Sequence, residues 1–414
     1  MLRALVRLGL AVAAVVTVTF PLVAFQAGRD GFSFALLPSL KLGGAILAIG
    51  LVTLAVHALW SRLLGEPLGR AAGRATSTPG ARAAALLALA VLLATLPAWA
   101  ANKWVGLVFE SLVYVTIAAG LNIALGMTGL LVLGHAAFWA VGGYTFGMLT
   151  VHLHWNFWCA FPAAGAAAAV VGLVLGLPSL RLRGDYLAIV TLGFGESIRW
   201  IIKNTGAVTG GDAGMPGSDL PDADMRAPLG SLGAYLWQPT DRNGCYWFAL
   251  ALAAVCVGTC SLFKRSRHGR AMYALREDET AAQCMGIDTV RVKLVAFMSA
   301  AMWAGLAGPV YLVYRQQIEP ELFNFDASVT FVAMVVLGGL GSVAGSVLGA
   351  ALLWILPALL RDWIPQVQDY RMLVFGAVLA AMMVVRPQGL VGGGGGRRRS
   401  AAGGAPPVRA AGAP

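Results

Sequence analysis

Polar residues along this chain are confined to short stretches between long apolar runs. The runs fall near residues 8–25, 42–60, 82–100, 105–125, 130–151, 157–177, 186–203, 246–263, 293–314, 327–340, 343–360 and 371–386. Crossing about 30 Å of hydrocarbon as an α-helix takes roughly 20 residues, which most of these runs approach. Helices also satisfy every backbone N–H and C=O within the segment, as lipid requires. The pattern therefore predicts an all-α, polytopic transmembrane helical bundle of about 10–12 spans. Two runs, 130–151 and 327–340, are short or broken by glycine and leave a second reading open. They are either ordinary spans or re-entrant and discontinuous segments, which are tolerated only against protein or a wet cavity.

Composition agrees with the pattern. The chain has 414 residues, 58% hydrophobic and 12% charged, with a mean hydropathy of +0.74; a soluble domain carries roughly 25% charged residues. The net charge of +11 does not point to nucleic acid, because the basic residues sit in short inter-span loops and tails. Arg62, Arg70, Arg74 and Arg82 against Glu66 place that loop in the cytoplasm, as do Arg181 with Arg183, the 264–293 loop, and the tail residues Arg397, Arg398 and Arg399. The stretch 204–243, with Asp212, Asp219, Asp222, Asp224 and Asp241 against Arg226 and Arg242, belongs outside. Twelve crossings satisfy all these assignments and put both termini in the cytoplasm. Arg3 and Arg7 before an apolar run imitate a secretory signal, but no A-x-A-like cleavage site follows, which favours an uncleaved signal-anchor. The chain divides into an appendage at 1–103 with two or three spans, a core at 104–390 with a polar loop near 264–292, and a disordered Gly/Arg/Pro-rich tail at 391–414.

The polar loop carries the most chemistry. Residues 271–285 favour helix, and Gly286 suits the position just past its end. Ala274, Ala281, Ala282 and Met285 offer a small-residue surface, and Arg276, Glu277, Asp278 and Glu279 a mixed-charge one. Such a helix is either an ordinary solvated loop or an element that docks in a groove of a soluble partner. Glu196, beside Gly193 and Gly195 inside an apolar run, is an intramembrane acid; it either lines a pathway or pairs at i,i+3 with Arg199 reaching the interface. Arg183 and Asp185 stand at the cytoplasmic mouth as an anchor or as a brace beside the loop. In TGGDAGMPG, Gly210 and Gly211 specify turns, giving a connector or a segment lining the outer mouth. Gly341, Gly345 and Gly349 form a GxxxGxxxG ridge, with shorter pairs at Gly143/Gly147 and Gly172/Gly176; small residues at this spacing let helices pack closely in lipid. The five cysteines include Cys256 and Cys260 on one helix face, a packing arrangement. His135, His152 and His154 have no carboxylate or cysteine at ligand spacing, so no metal site is read. There is no nucleophile–base pairing and no GxxxxGK[ST] nucleotide motif.

The run LREDETAAQCMGI, with Glu279, Ala281, Ala282 and Gly286, resembles the coupling loop of bacterial ABC import permeases. Taken with GLNIALGMTGLLVLGHAAFWAVGGY, LRLRGDYLAIVTLGFGESIRW, TGGDAGMPG, VVLGGLGSVAGSVLGA and RPQGL, the chain resembles the branched-chain amino acid permease family, M-type subunit, over roughly 110–390. The resemblance implies one non-catalytic half of a heterodimeric pore in the bacterial inner membrane, importing leucine, isoleucine or valine. A second permease subunit, two cytoplasmic ATPase subunits and a periplasmic amino-acid-binding protein are the implied partners. ATP and Mg would sit on those subunits and no cofactor on this one. It implies an ATPase-coupling role for Tyr273, Arg276, Glu277, Asp278, Glu279, Ala281, Ala282 and Gly286. The rival readings are a permease of the same architecture for an amide, urea or sugar, and a proton-coupled secondary transporter with Glu196 as carrier.

Overall fold

The structure is a computed structural model. It describes residues 25–28, 31–34, 93–97, 100–179, 184–216, 242–363 and 389–390, with only the backbone given at 25–28, 31–34, 179, 185, 242 and 359–363. Most of the appendage, the last apolar run, the tail, most of the acidic outer stretch and Arg181 and Arg183 lie outside the described residues. Two compact units divide the chain: residues 1–107 with 357–387, and residues 108–356 with 388–414. The first contains a short antiparallel pair, β1 (Phe25–Gly28) with β2 (Gly31–Phe34), in the register Phe25↔Phe34 and Gly28↔Gly31. Nothing in the apolar pattern anticipates it.

The apolar runs between 102 and 363 become helices. They are α1 (Asn102–Leu121), α2 (His135–Val151), α3 (Phe157–Ser179), α4 (Asp185–Asn204) and α5 (Arg242–Arg265). Two short helices, α6 (Arg267–Glu277) and α7 (Glu279–Cys284), precede α8 (Thr289–Arg315), α9 (Phe325–Gly338) and α10 (Val343–Trp363). Among the described residues, four helical segments are long and apolar enough to span a membrane: 102–127, 157–178, 243–265 and 289–315. The first includes a π-helical stretch, Asn122–Met127, that continues α1.

Both glycine-broken runs are discontinuous. In 130–151 the helix starts only at His135, after a non-helical segment from Gly129 to Gly134. In 327–340, α9 has 14 residues, about 21 Å of helix and too short to span. It stops where Gly339 and Gly341 take positive φ, 117° and 79°.

Glycine packing fixes helix direction. A Cβ on Gly176 would meet Leu294, one on Gly172 would meet Phe297 and Ala301, and one on Gly165 would meet Leu306, so α3 runs antiparallel to α8. On α2, Gly142 lies against the Gly305 backbone, Gly143 against Gly308 and Ile318, and Gly147 against Leu312 and Met215. The starts of α4 and α8 therefore share the end of the bundle that holds α6 and α7, called the loop end below. The last turns of α2, α4 and α8 lie at the far end. Gly143, Gly147, Gly172 and Gly176 pack helices of the same chain, as their spacing predicts.

The helical ridge is shorter than the Gly341–Gly345–Gly349 spacing predicts. Gly345 and Gly349 do lie on α10, facing Gly338 and the Met334 carbonyl of α9. Gly341, however, precedes the helix in the α9–α10 turn, in a left-handed conformation that suits glycine. Cys256 and Cys260 are buried on α5, their thiols directed at the Thr116 and Ala119 carbonyls of α1.

Candidate coupling site

The polar loop is two helices rather than one. Ser266 caps α6 by accepting from the Gly269 N–H at 3.2 Å. Asp278, extended at φ −158° and ψ 116°, then interrupts the expected 271–285 helix. Its carboxylate accepts from the N–H groups of Thr280 (2.8 Å) and Ala281 (3.0 Å) and so starts α7. Aspartate is a preferred N-cap because its oxygen satisfies donors that the first turn leaves open. The end is as predicted: Gly286 has φ 80°. The Ile287 N–H reaches the Ala282 carbonyl (3.1 Å) and the Gly286 N–H the Gln283 carbonyl (2.9 Å), the two bonds of a Schellman closure.

The inner face of the loop is held by both packing and polar bonds. Met272 and Leu275 enter an apolar cluster with Met127, Cys256, Cys260 and Val292. Tyr273 Oη donates to the Gly341 carbonyl at 2.8 Å, and Lys264 Nζ donates to the same oxygen at 2.8 Å. Arg276 Nη1 donates to the Gly126 carbonyl at 2.6 Å. The Gly341 N–H donates to Asn122 Oδ1 at 3.0 Å. Burial pushes the Tyr273 phenol above its ordinary range, opposed by the nearby Arg276 charge, so the hydroxyl stays a donor at neutral pH.

The second half is tied to α8. Lys293 Nζ pairs with Glu279 Oε1 at 2.6 Å, the lysine side chain being only 4% exposed and the glutamate 20%. Gln283 Nε2 donates to Thr289 Oγ1 at 3.0 Å. Two members of the expected mixed-charge surface, Arg276 and Glu279, are thus engaged within the chain. Ala282 is buried, whereas Ala281 and Met285, the latter 82% exposed, face outward. Glu277, Asp278, Thr280, Ala281, Gln283, Cys284 and Met285 form the outward surface, with Arg267, His268 and Arg270 at its other margin.

The far end carries an ion cluster. Glu196 pairs with Arg199 at 2.9 Å, the predicted i,i+3 bridge. Arg199 also reaches Glu321 (3.1 Å), and Lys203 bonds Asp212 (2.8 Å) and Glu321 (3.4 Å). Gly210, Gly211 and Gly214 all have positive φ and fold TGGDAG into a tight turn. The turn leads into β3 (Met215–Pro216), which pairs with β4 (Gln317–Ile318). Gly195 packs on Gly134, while a side chain at Gly193 would meet nothing within 4 Å. Asp185 opens α4 at the loop end; its side chain and Arg183 lie outside the described residues.

Several residues of the loop site escaped the sequence reading. Asn122 is fully buried, and as a lone amide inside an apolar run it did carry a signal. Lys264 and Lys293 read there only as positive-inside charges, because their partners, Gly341 and Glu279, sit elsewhere in the chain.

The model of a family described as the branched-chain amino acid transport system, permease component, matches residues 104–383. The chain belongs to this family. Among similar members of the branched-chain amino acid permease family are the high-affinity branched-chain amino acid transport system permease proteins LivM of Salmonella typhimurium and Escherichia coli. They are 37% and 38% identical over 320 residues, which is 74% of this chain and of each relative. The permease protein LivH of Escherichia coli is 26% identical over 290 residues, 67% of this chain and 91% of its own. No solved structure matches the chain. With its long apolar helices, this family member is a multi-pass membrane protein.

Proposed function

We propose that this chain is one permease subunit of an ATP-driven importer of branched-chain amino acids in the bacterial inner membrane, with both termini cytoplasmic. A second permease subunit completes the pore, and similarity to both LivM and LivH supports that pairing. Two cytoplasmic ATPase subunits would drive the pore, bringing ATP and Mg with them, one of them docking on the α6–α7 surface, and a periplasmic binding protein would deliver substrate at the far end. The chain itself is non-catalytic and binds no cofactor in this reading.

One observation carries the coupling role: the α6–α7 loop exposes a charged outer face while its inner face is bonded to three separate membrane segments. A loop built this way transmits force instead of absorbing it. Glu196 supports the proton-coupled alternative poorly, because it is already paired with Arg199 at the far end.

The test is leucine uptake into vesicles holding the complete complex, with and without ATP. The variant of choice is Glu277→Lys, since Glu277 is exposed, whereas Glu279 is tied to Lys293. ATP-dependent uptake in wild type that is lost with ATPase binding in the variant is expected. Uptake without ATP, or an unaffected variant, would refute the assignment.

A further inference from the structure

We propose that displacement of the loop enters the pore through Gly341, and that Tyr273, Lys264 and Asn122 are the positioning residues that carry it there. The inference rests on the permease reading above and names the route of coupling within it. Loop helix α6 does not act only through the spans adjoining it in sequence. Tyr273 from α6 and Lys264 from the end of α5 converge on one carbonyl, that of Gly341, each at 2.8 Å. The N–H of the same residue passes the connection to Asn122 Oδ1 at 3.0 Å. Arg276, one turn beyond Tyr273, grips the Gly126 carbonyl in the same π-helical stretch at 2.6 Å.

Both gripped segments are breaks in regular helix. Asn122–Met127 is π-helical, and the chain from Gly129 to Gly134 is non-helical. Gly339 and Gly341 form the left-handed turn between α9 and α10. Breaks are where backbone groups are available to be held and where a helix bends with least loss, and π-segments recur at functional sites. Regular helix would present neither the Gly341 carbonyl nor its N–H. Space at the junction is minimal: a Cβ on Gly126 would strike Asn122 Oδ1 and the Gly341 nitrogen, and one on Gly341 would crowd Tyr273 Oη and Arg276 Nη1. The parts therefore move together or not at all. Asn122 also has a buried Nδ2 without a hydrogen-bond partner, a donor held ready for an acceptor in a second arrangement of the turn. Helix α7, bonded instead to α8 through Glu279 and Lys293, is separated from α6 by the extended Asp278.

The test uses the complete reconstituted complex and reads uptake and ATP hydrolysis together. The variants are Tyr273→Phe with Lys264→Met, and separately Asn122→Ala. Glu277→Lys, on the exposed face, serves as the docking control. Complexes that assemble and hydrolyse ATP but import about tenfold less substrate per ATP are expected, with Lys264→Arg recovering most of the ratio. An unchanged ratio in both variants would overturn the route while leaving the permease assignment intact. Parallel loss of assembly, hydrolysis and uptake would overturn it too, by making the residues merely structural. Wild-type vesicles that show no ATP-dependent uptake would overturn the assignment itself, and the route with it.

Discussion

Replacing Glu279 by glutamine should destabilise the protein far more than its surface-loop position suggests. The carboxylate lies 2.6 Å from Lys293 Nζ, a separation at which unit charges attract by about 6 kcal/mol at an effective dielectric near 20. Desolvating each ion costs several kcal/mol, so the intact pair contributes little net stability. Its removal is asymmetric. Lys293 is only 4% exposed and cannot reach water, whereas Glu279 is 20% exposed and can turn outward. Glu279→Gln, which strands the lysine, should cost about 3–5 kcal/mol. Lys293→Met, which leaves the more accessible carboxylate free to turn toward water, should cost about 1–2 kcal/mol. The double variant should return to within about 1 kcal/mol of wild type, since an apolar replacement of a buried pair is often neutral. Reversible unfolding in mixed micelles, read as a double-mutant cycle, measures all three. A Glu279→Gln cost below about 1 kcal/mol, with no recovery in the double variant, would refute the argument.

Three further outcomes follow from the same geometry. Gly142→Ala, which drives a methyl into the Gly305 backbone, should cost about 3 kcal/mol or prevent folding, while Gly193→Ala, which meets nothing, should be neutral or gain about 0.5 kcal/mol; thermal unfolding of the purified protein separates them. Subtracting the phenolate absorbance of Tyr273→Phe from wild type should show the Tyr273 phenol ionising later than free tyrosine. Its contribution to stability should be complete below the ordinary tyrosine pKa of about 10 and be lost as pH rises through the raised folded value. Glu196→Gln should leave uptake within about twofold of wild type, because Arg199 keeps its second partner Glu321 and Glu196, 32% exposed, keeps access to water; collapse of uptake together with dependence on a proton gradient would revive the secondary-transporter reading.

Much of the bundle was legible because helix formation in apolar runs is a local decision. Each run between 105 and 360 became a helix, and the glycines at 129, 134 and 339 marked where regularity ends. Gly286 was legible for the same reason, a left-handed closure being written in the residue that can adopt it. Glu196 and Arg199 were within one turn, so their spacing sufficed. Asp278 departs from the expected continuous helix because its preference to cap outweighs the helix-favouring residues around it. Spacing alone extends the glycine ridge to Gly341, but spacing cannot say where a helix begins. The pairings Tyr273–Gly341 and Arg276–Gly126 join residues 68 and 150 positions apart, and no local pattern encodes such contacts.

The close main-chain seams of α2 and α3 on α8, at Gly142 with Gly305, Gly143 with Gly308 and Gly172 with the Phe297 carbonyl, set a mechanical limit. Where main chains touch there are no long side chains to yield, so these three helices cannot slide past one another without first separating. They form a keel, and whatever opens and shuts across the membrane must swing against it.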